Sequence, residues 1–107
     1  MATYLLKASY SAEGIKGVVK EGGSSRVATV EKALAGLGGT LQSFYFAFGD
    51  TDVYLTADLP DHASAIAFAA AVGASGALSK VETVVLLSAS EIDAAMAKAV
   101  EYRAPGS

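Results

Sequence analysis

Four segments of the chain are rich in Leu, Val, Tyr and Phe, and turn-forming residues bound each of them. Segments of this length and composition predict β-strands. In the second and third segments aromatic residues fall on both faces, because side chains alternate along a strand. We therefore expect both faces of the sheet to be covered. The predicted strands are residues 3–10, 40–48, 52–58 and 81–87.

Between these segments, apolar residues recur every three or four positions, which predicts helices. Serine and aspartate at the starts and glycine at the ends are typical caps. The predicted helices are residues 11–20 capped by Ser11, a helix from the serines after Gly22-Gly23 to Leu37, an Ala-rich helix between Pro60-Asp61 and Gly73, and a last helix from a capping box at Ser90-Glu91-Ile92-Asp93 to about Tyr102.

The order β-α-β-β-α-β followed by a helix predicts an α+β ferredoxin-like fold, with a four-stranded antiparallel sheet whose first and third strands are central. Both crossover helices cover the same face of such a sheet, so the opposite face needs another cover. A second copy of the sheet is the simplest one. Strand parity assigns Phe44, Phe46, Phe48, Val53 and Leu55 to the helix face and Ser43, Tyr45, Tyr54 and Thr56 to the other.

Composition supports one domain over residues 1–107 that forms a homodimer or higher homo-oligomer. Hydrophobic residues make up 52% of the chain and charged residues 18%, which is more apolar surface than a small monomer easily buries. The net charge of −3, with dispersed basic residues, disfavours nucleic-acid binding. The absence of cysteine and of a signal-peptide pattern favours the cytoplasm. No segment approaches the roughly 20 apolar residues of a membrane span.

A set of short segments, taken in their order and spacing, resembles the GYD domain family of small bacterial proteins along the whole chain. They are Tyr4-Leu5-Leu6-Lys7-Ala8-Ser9-Tyr10, Gly14, residues 17–26, Gly38-Gly39, Tyr45, Phe48-Gly49-Asp50-Thr51-Asp52, Asp58-Leu59-Pro60-Asp61, Ser75-Gly76, Leu86-Leu87, Glu91, Asp93 and residues 102–106. The resemblance implies a ferredoxin-like fold of the dimeric α+β barrel type, and a homodimer, but no particular reaction. The tyrosine expected between glycine and aspartate is Thr51 here.

The first candidate ligand site is the segment from Lys20 to Arg26. Its Gly22-Gly23 pair precedes a helix, and backbone N–H groups at a helix N-terminus attract anions. Lys20 and Arg26 would add positive charge. The alternative is an ordinary helix break, because the Lys-Ser or Lys-Thr of a phosphate loop does not follow. The segment thus predicts either a site for a small carboxylate or phosphate, or a structural break.

The second candidate is the strand face that carries Lys7, Ser9, Tyr45, Tyr54 and Thr56, with Asp52 as a further candidate member. A lysine in an apolar central strand needs a partner, because burying an ammonium group is costly. Lys7 could act as a base or hold an anion, with the tyrosines as proton donors. Alternatively, Lys7 pairs with an acid across a dimer interface that the tyrosines anchor.

The remaining titratable residues predict neither a metal nor another cofactor. Aspartates at 50, 52, 58 and 61 with His62 fit neither the spacing of a calcium loop nor the ligand set of a zinc site. A single histidine and the absence of a Gly-x-Ser-x-Gly elbow disfavour a catalytic triad.

The sequence as a whole predicts a homodimer that binds a small organic or anionic ligand. Two alternatives stay open. One is a cofactor-independent oxygenase, isomerase or lyase of the dimeric α+β barrel type that uses Lys7 with Tyr45 or Tyr54. The other is a structural or regulatory interaction module with a filled interface.

Overall fold

Four strands and four helices make up the computed structural model, which describes residues 1–107. The strands form one antiparallel sheet in the order β2-β3-β1-β4, with β1 and β3 at the centre. This arrangement confirms the predicted α+β ferredoxin-like fold. The elements are β1 (Ala2–Tyr10), α1 (Ala12–Glu21), α2 (Gly23–Gly36), β2 (Thr40–Phe46), β3 (Val53–Leu59), α3 (His62–Ala74), β4 (Leu78–Leu86) and α4 (Ala89–Met96).

The hydrophobic core lies on one face of the sheet. Alternate residues of the two central strands are buried there, as the period of a strand requires. Helices α2 and α3 cover this face, and Leu34 of α2 is completely buried. Only 12 of the 107 residues are buried, so the core is small for the length of the chain. The buried apolar residues are Tyr4, Leu6, Ala8, Val30, Leu34, Val53, Leu55, Ala57, Leu59, Ala65 and Phe68.

The register of β2 and β3 confirms the predicted division of their side chains between two faces. Phe44 pairs with Leu55 on the helix face, and Tyr45 pairs with Tyr54 on the opposite face. The prediction was wrong for Phe48, which is fully exposed. Strand β2 ends at Phe46, so Phe48 lies in the following turn, where strand parity no longer applies.

Side-chain caps begin three of the helices. Ser11 accepts a hydrogen bond from the Gly14 N–H, and Asp61 accepts one from the Ser64 N–H, as predicted. The capping box of α4 was placed wrongly, because Ser88 and Glu91 form it rather than Ser90 and its neighbours.

The last helix is also shorter than predicted. Helix α4 ends at Met96 and not near Tyr102. No residue of α4 is buried. Apolar periodicity produces a long helix only where a surface is present to bury the apolar face, and the chain itself supplies none here. None of the four helices has both the length and the hydropathy that crossing a bilayer requires.

Glycine is required where α1 packs against the segment before β4. The Ser11 N–H donates to the Ala77 carbonyl oxygen at 2.9 Å, and the Ser11 hydroxyl donates to the Gly76 carbonyl oxygen at 2.6 Å. A Cβ atom on Gly14 would lie 1.9 Å from the Ala77 carbonyl oxygen. A Cβ atom on Gly17, one turn later, would meet no atom within 4 Å. The two glycines of this helix therefore have different roles.

We expect Gly14→Ala and Gly17→Ala to change stability in opposite directions. Gly14→Ala must displace backbone, which costs more than about 2 kcal/mol of unfolding free energy. Gly17→Ala removes a flexible residue from a helix interior and adds about 0.5–1 kcal/mol. Urea denaturation followed by circular dichroism measures both. Equal effects of the two substitutions would contradict this packing of α1.

Candidate functional site

A cavity of about 330 Å³ lies between the helix face of the sheet and the helices α2 and α3. This volume is within the range of small-molecule sites. Of its 15 lining residues, 12 are hydrophobic. We call it the central cavity, and its lining residues are Leu6, Ala8, Tyr10, Arg26, Thr29, Val30, Phe44, Val53, Leu55, Phe68, Ala71, Val72, Ser75, Ala77 and Leu78.

Arg26 is the only charged residue that lines the central cavity. It lies in the first turn of α2 and is partly buried. No carboxylate lies within 4.0 Å of its guanidinium, since the two ion pairs of the chain are Lys7–Glu82 and Lys16–Glu13. A partly buried guanidinium without a carboxylate partner is suited to receiving an anion from outside the chain.

The Tyr10 hydroxyl is the polar group beside Arg26. Burial raises the pKa of Tyr10 above its usual value, the positive charge of Arg26 opposes that rise, and the negative charge of Asp52 adds to it. The phenol is therefore neutral at pH 7. It can donate a hydrogen bond to a bound anion or accept one from Arg26.

The turn between β2 and β3 holds the end of β1, and with it Tyr10. The Tyr10 N–H donates to Asp52 Oδ2 at 2.9 Å, and the Asp52 N–H donates to the Ala8 carbonyl oxygen at 3.0 Å. The Ser9 hydroxyl donates to the Asp50 carbonyl oxygen at 2.8 Å. These bonds give the turn at residues 49–52 a positioning role. Sequence analysis missed Tyr10, although its parity with Ala8 assigns it to the helix face.

The first predicted ligand segment reaches the central cavity only through Arg26. Lys20 is exposed and does not line the cavity. The Gly22 N–H donates to the Val18 carbonyl oxygen at 2.8 Å, with φ at +88°, so Gly22 ends α1. Gly23 packs against the Phe46 ring, which a Cβ atom would approach to 3.0 Å. The two glycines thus form the helix break, and the arginine faces the cavity.

A smaller cleft of about 130 Å³ lies on the other side of Arg26. Glu13 and Glu21 of α1 line it with Tyr10 and Arg26. The guanidinium therefore lies between an apolar cavity and a cleft with acidic residues. Neither carboxylate is within ion-pairing distance of it.

The second predicted site is assembled as a row across the sheet. Tyr45, Tyr54, Lys7 and Glu82 are consecutive cross-strand partners on the face away from the helices. Lys7 Nζ lies 3.5 Å from Glu82 Oε2, and 33% of the Lys7 side chain is exposed. Lys7 thus has its acidic partner within the same chain. We call this face the open face; its other members include Thr3, Leu5, Ser9, Ser43, Thr56, Asp58, Val84 and Leu86.

The aspartates hold backbone and side chains in place. Asp58 accepts hydrogen bonds from Thr3 at 2.6 Å and from Gln42 at 2.7 Å, and Asp61 caps α3. His62 is exposed in the first turn of α3 as expected, and its Nδ1 lies 2.6 Å from the Tyr4 hydroxyl. The fold does not bring three acidic or histidine side chains together in one cluster.

The family model of the GYD domain matches residues 4–96. The chain belongs to the GYD domain family. The matched range includes Tyr10, Arg26 and the turn at residues 49–52 of this GYD-domain protein, and it ends with the last residue of α4. No curated protein and no solved structure matches the chain.

We expect Tyr10 of this GYD-domain protein to titrate above the ordinary tyrosine pKa of about 10. A group whose pKa is raised by folding stabilises the protein below its unfolded pKa of about 10 and loses that contribution as the pH rises through the folded value. Ultraviolet difference absorbance against pH measures the titration. Tyr10→Phe should remove the phase that titrates above this value. If Tyr10→Phe instead removed a phase at about pH 10, the result would contradict the buried environment of the Tyr10 hydroxyl.

Proposed function

We propose that this GYD-domain protein is a homo-oligomeric binding protein for a small amphipathic organic anion, with the central cavity as its site. The observation that carries the proposal is that Arg26, without a carboxylate within 4.0 Å, is the one charged residue that lines a mainly apolar cavity. An arginine in this setting binds a carboxylate through two parallel hydrogen bonds.

The lining of the cavity specifies the rest of the ligand. Its walls consist mainly of aliphatic side chains with Phe44 and Phe68, so a ligand gains from burying an apolar body there. Inorganic phosphate would leave this surface unused. Thr29, Ser75 and the Tyr10 hydroxyl offer the few polar contacts that orient a ligand. The proposed ligand class is therefore a small aliphatic or aromatic carboxylate.

The position of Arg26 in the first turn of α2 strengthens the attraction for an anion. A helix N-terminus carries partial positive charge, and α2 has no side-chain cap and no acidic residue in its first turn to offset it. The proposal thus keeps Arg26 as the anion-binding residue of the predicted segment. The proposed ligand lies in the central cavity, which Lys20 does not line.

We expect octanoate to bind the protein and Arg26→Gln to weaken that binding. A hydrogen bond to a charged group contributes about 1.5–3 kcal/mol, so the dissociation constant should rise about 10- to 100-fold. Titration calorimetry measures the change. Octanol, which has the same apolar chain without the charge, should bind weakly to both proteins.

Two charge-removing variants serve as controls for Arg26→Gln. Lys32→Gln removes an exposed positive charge from the same helix, and Lys20→Gln removes the exposed charge of the predicted segment. Both should bind octanoate as the wild type does. Ala71→Phe fills part of the cavity from an exposed helix position and should abolish binding. Equal affinity in Arg26→Gln and wild type would refute the proposed site.

The open face supports the oligomeric part of the proposal. No residue of the helix-side core lies on this face, and it carries Leu5, Val84 and Leu86 together with two tyrosines. Several of its polar groups are already paired within the chain, as in the Ser43–Thr56 hydrogen bond of 2.6 Å and the Lys7–Glu82 ion pair. Polar groups that are paired beforehand can be covered without the cost of unsatisfied donors. A second copy of the sheet, related by a two-fold axis, would cover this face.

We expect Tyr45→Lys to dissociate the oligomer and Phe48→Lys to leave it intact. Tyr45 is 69% exposed on the open face, where a lysine from each copy would meet the other. Phe48 is an even more exposed aromatic residue, but it lies in the turn. Sedimentation velocity measures the mass of both. A monomeric wild type, or an intact oligomer in Tyr45→Lys, would argue against this interface.

Lys7→Met separates the two predicted roles of the open face. The partner of Lys7 is Glu82 of the same chain, so loss of the lysine leaves the Glu82 carboxylate unpaired on the face that a second copy would cover. Sedimentation velocity should show a weakened oligomer, and titration calorimetry should show unchanged octanoate binding in the central cavity.

A further inference from the structure

The segment after β4 has no covering surface within its own chain. Every residue from 87 to 107 is exposed, and we call this segment the C-terminal arm. Helix α4 has eight residues, and a helix this short is marginal in water unless its apolar face is packed. Its apolar residues nevertheless lie in the solvent, with Ile92 41% and Met96 74% exposed. The arm therefore requires a partner surface.

The dimensions of the molecule indicate how much surface a partner would have to cover. Its radius of gyration is 17.0 Å, and it is 58 Å long. A compact domain of this length has a radius of gyration of about 13 Å. The accessible surface is 7104 Å², against about 5,500 Å² for a compact monomer of this mass. The excess of roughly 1,500 Å² is more than the roughly 800 Å² that each partner buries in a standard interface.

A groove of about 580 Å³ runs between α3 and β4 on the helix side of the sheet. It is lined mainly by apolar side chains, among them Ile66 and Ala70 of α3 and Val85 of β4. Ile66 is 69% exposed. After His62, helix α3 has no titratable side chain on any face, and helices that are apolar all round are normally buried. We call this feature the α3–β4 groove.

We propose that the C-terminal arm of one copy docks in the α3–β4 groove of a second copy of this chain. The arm is apolar at helical spacing and the groove is apolar and uncharged, so the two surfaces are complementary. The chain geometry directs the arm away from its own groove. Ser88 and Glu91 form a capping box with bonds of 2.9 and 3.2 Å, which leaves only Leu87 between β4 and the capped start of α4. All residues of the arm are exposed and the molecule is 58 Å long, so the arm extends away from its own groove.

Docking also accounts for the longer helix that the sequence predicts. Ile92, Met96 and Val100 lie at positions i, i+4 and i+8, which form one stripe of a helix. Only the part to Met96 is helical in the isolated chain. Burial of this stripe in the groove would extend the helix past Val100. If two copies exchanged their C-terminal arms about a two-fold axis, both α3–β4 grooves of the dimer would be filled and neither arm would be left uncovered. This contact goes beyond the proposed ligand binding and does not depend on the central cavity.

Disulfide trapping tests the exchange, because the chain contains no cysteine. A tagged chain with Ala70→Cys in the groove is co-expressed with an untagged chain carrying Met96→Cys in the arm, and oxidised as the full-length protein. We expect a disulfide-linked pair of one tagged and one untagged chain. The control replaces Ala70→Cys with Lys32→Cys on the exposed side of α2 and should give at least fivefold less of the mixed pair.

A second pair, Ile66→Cys with Ile92→Cys, covers the case in which Ala70→Cys disturbs folding. Mixed-disulfide yields no higher than the Lys32→Cys control in both pairs would refute the exchange. A double variant with Ala70→Cys and Met96→Cys in one chain distinguishes the source of the arm. Disulfide-linked dimers support exchange, and a disulfide closed within a monomer overturns it. Octanoate binding is measured separately, so a failed exchange and a failed cavity proposal give different results.

Discussion

The pairing of β1 with β3 at the centre of the sheet is the contact on which the rest of the structure depends. It aligns Leu6 with Leu55 on the helix face, where α2 and α3 close the core, and Lys7 with Tyr54 on the open face. The same pairing sets where β1 ends, and therefore where Tyr10 enters the central cavity. One register thus determines the core, the cavity and the open face together, because a shift by one residue would exchange the two faces.

The cavity depends on a short chain of positioning contacts. The turn at residues 49–52 binds the end of β1 through Asp52, and this fixes Tyr10 beside Arg26 at the start of α2. The glycine break at Gly22 sets the direction of α2 and so the direction of the arginine. Residues far apart in sequence therefore build one polar edge on a mainly apolar cavity, and the proposed binding of a small organic anion rests on this arrangement.

Much of the apolar surface of the molecule lies outside its small core. The open face, the outer side of α3 and the C-terminal arm are separate regions, and each lacks a cover within the chain. The proposed association would stabilise a chain with so few buried residues, because binding between folded copies adds to the free energy of unfolding. Under that proposal, assembly and folding of this GYD-domain protein are coupled.

The sequence by itself determined the element order, the ferredoxin-like fold, the two faces of β2 and β3 and the family, because these follow from local periodicity and from short motifs. Tertiary structure alone decided that Arg26 faces a cavity with Tyr10, that Lys7 pairs with Glu82, and that α4 ends at Met96. These outcomes depend on which distant segments meet, and neither side-chain periodicity nor motif spacing specifies such contacts. Arg26 could be selected as a candidate from its charge, but its partner and its cavity exist only where β1, α2 and α3 come together.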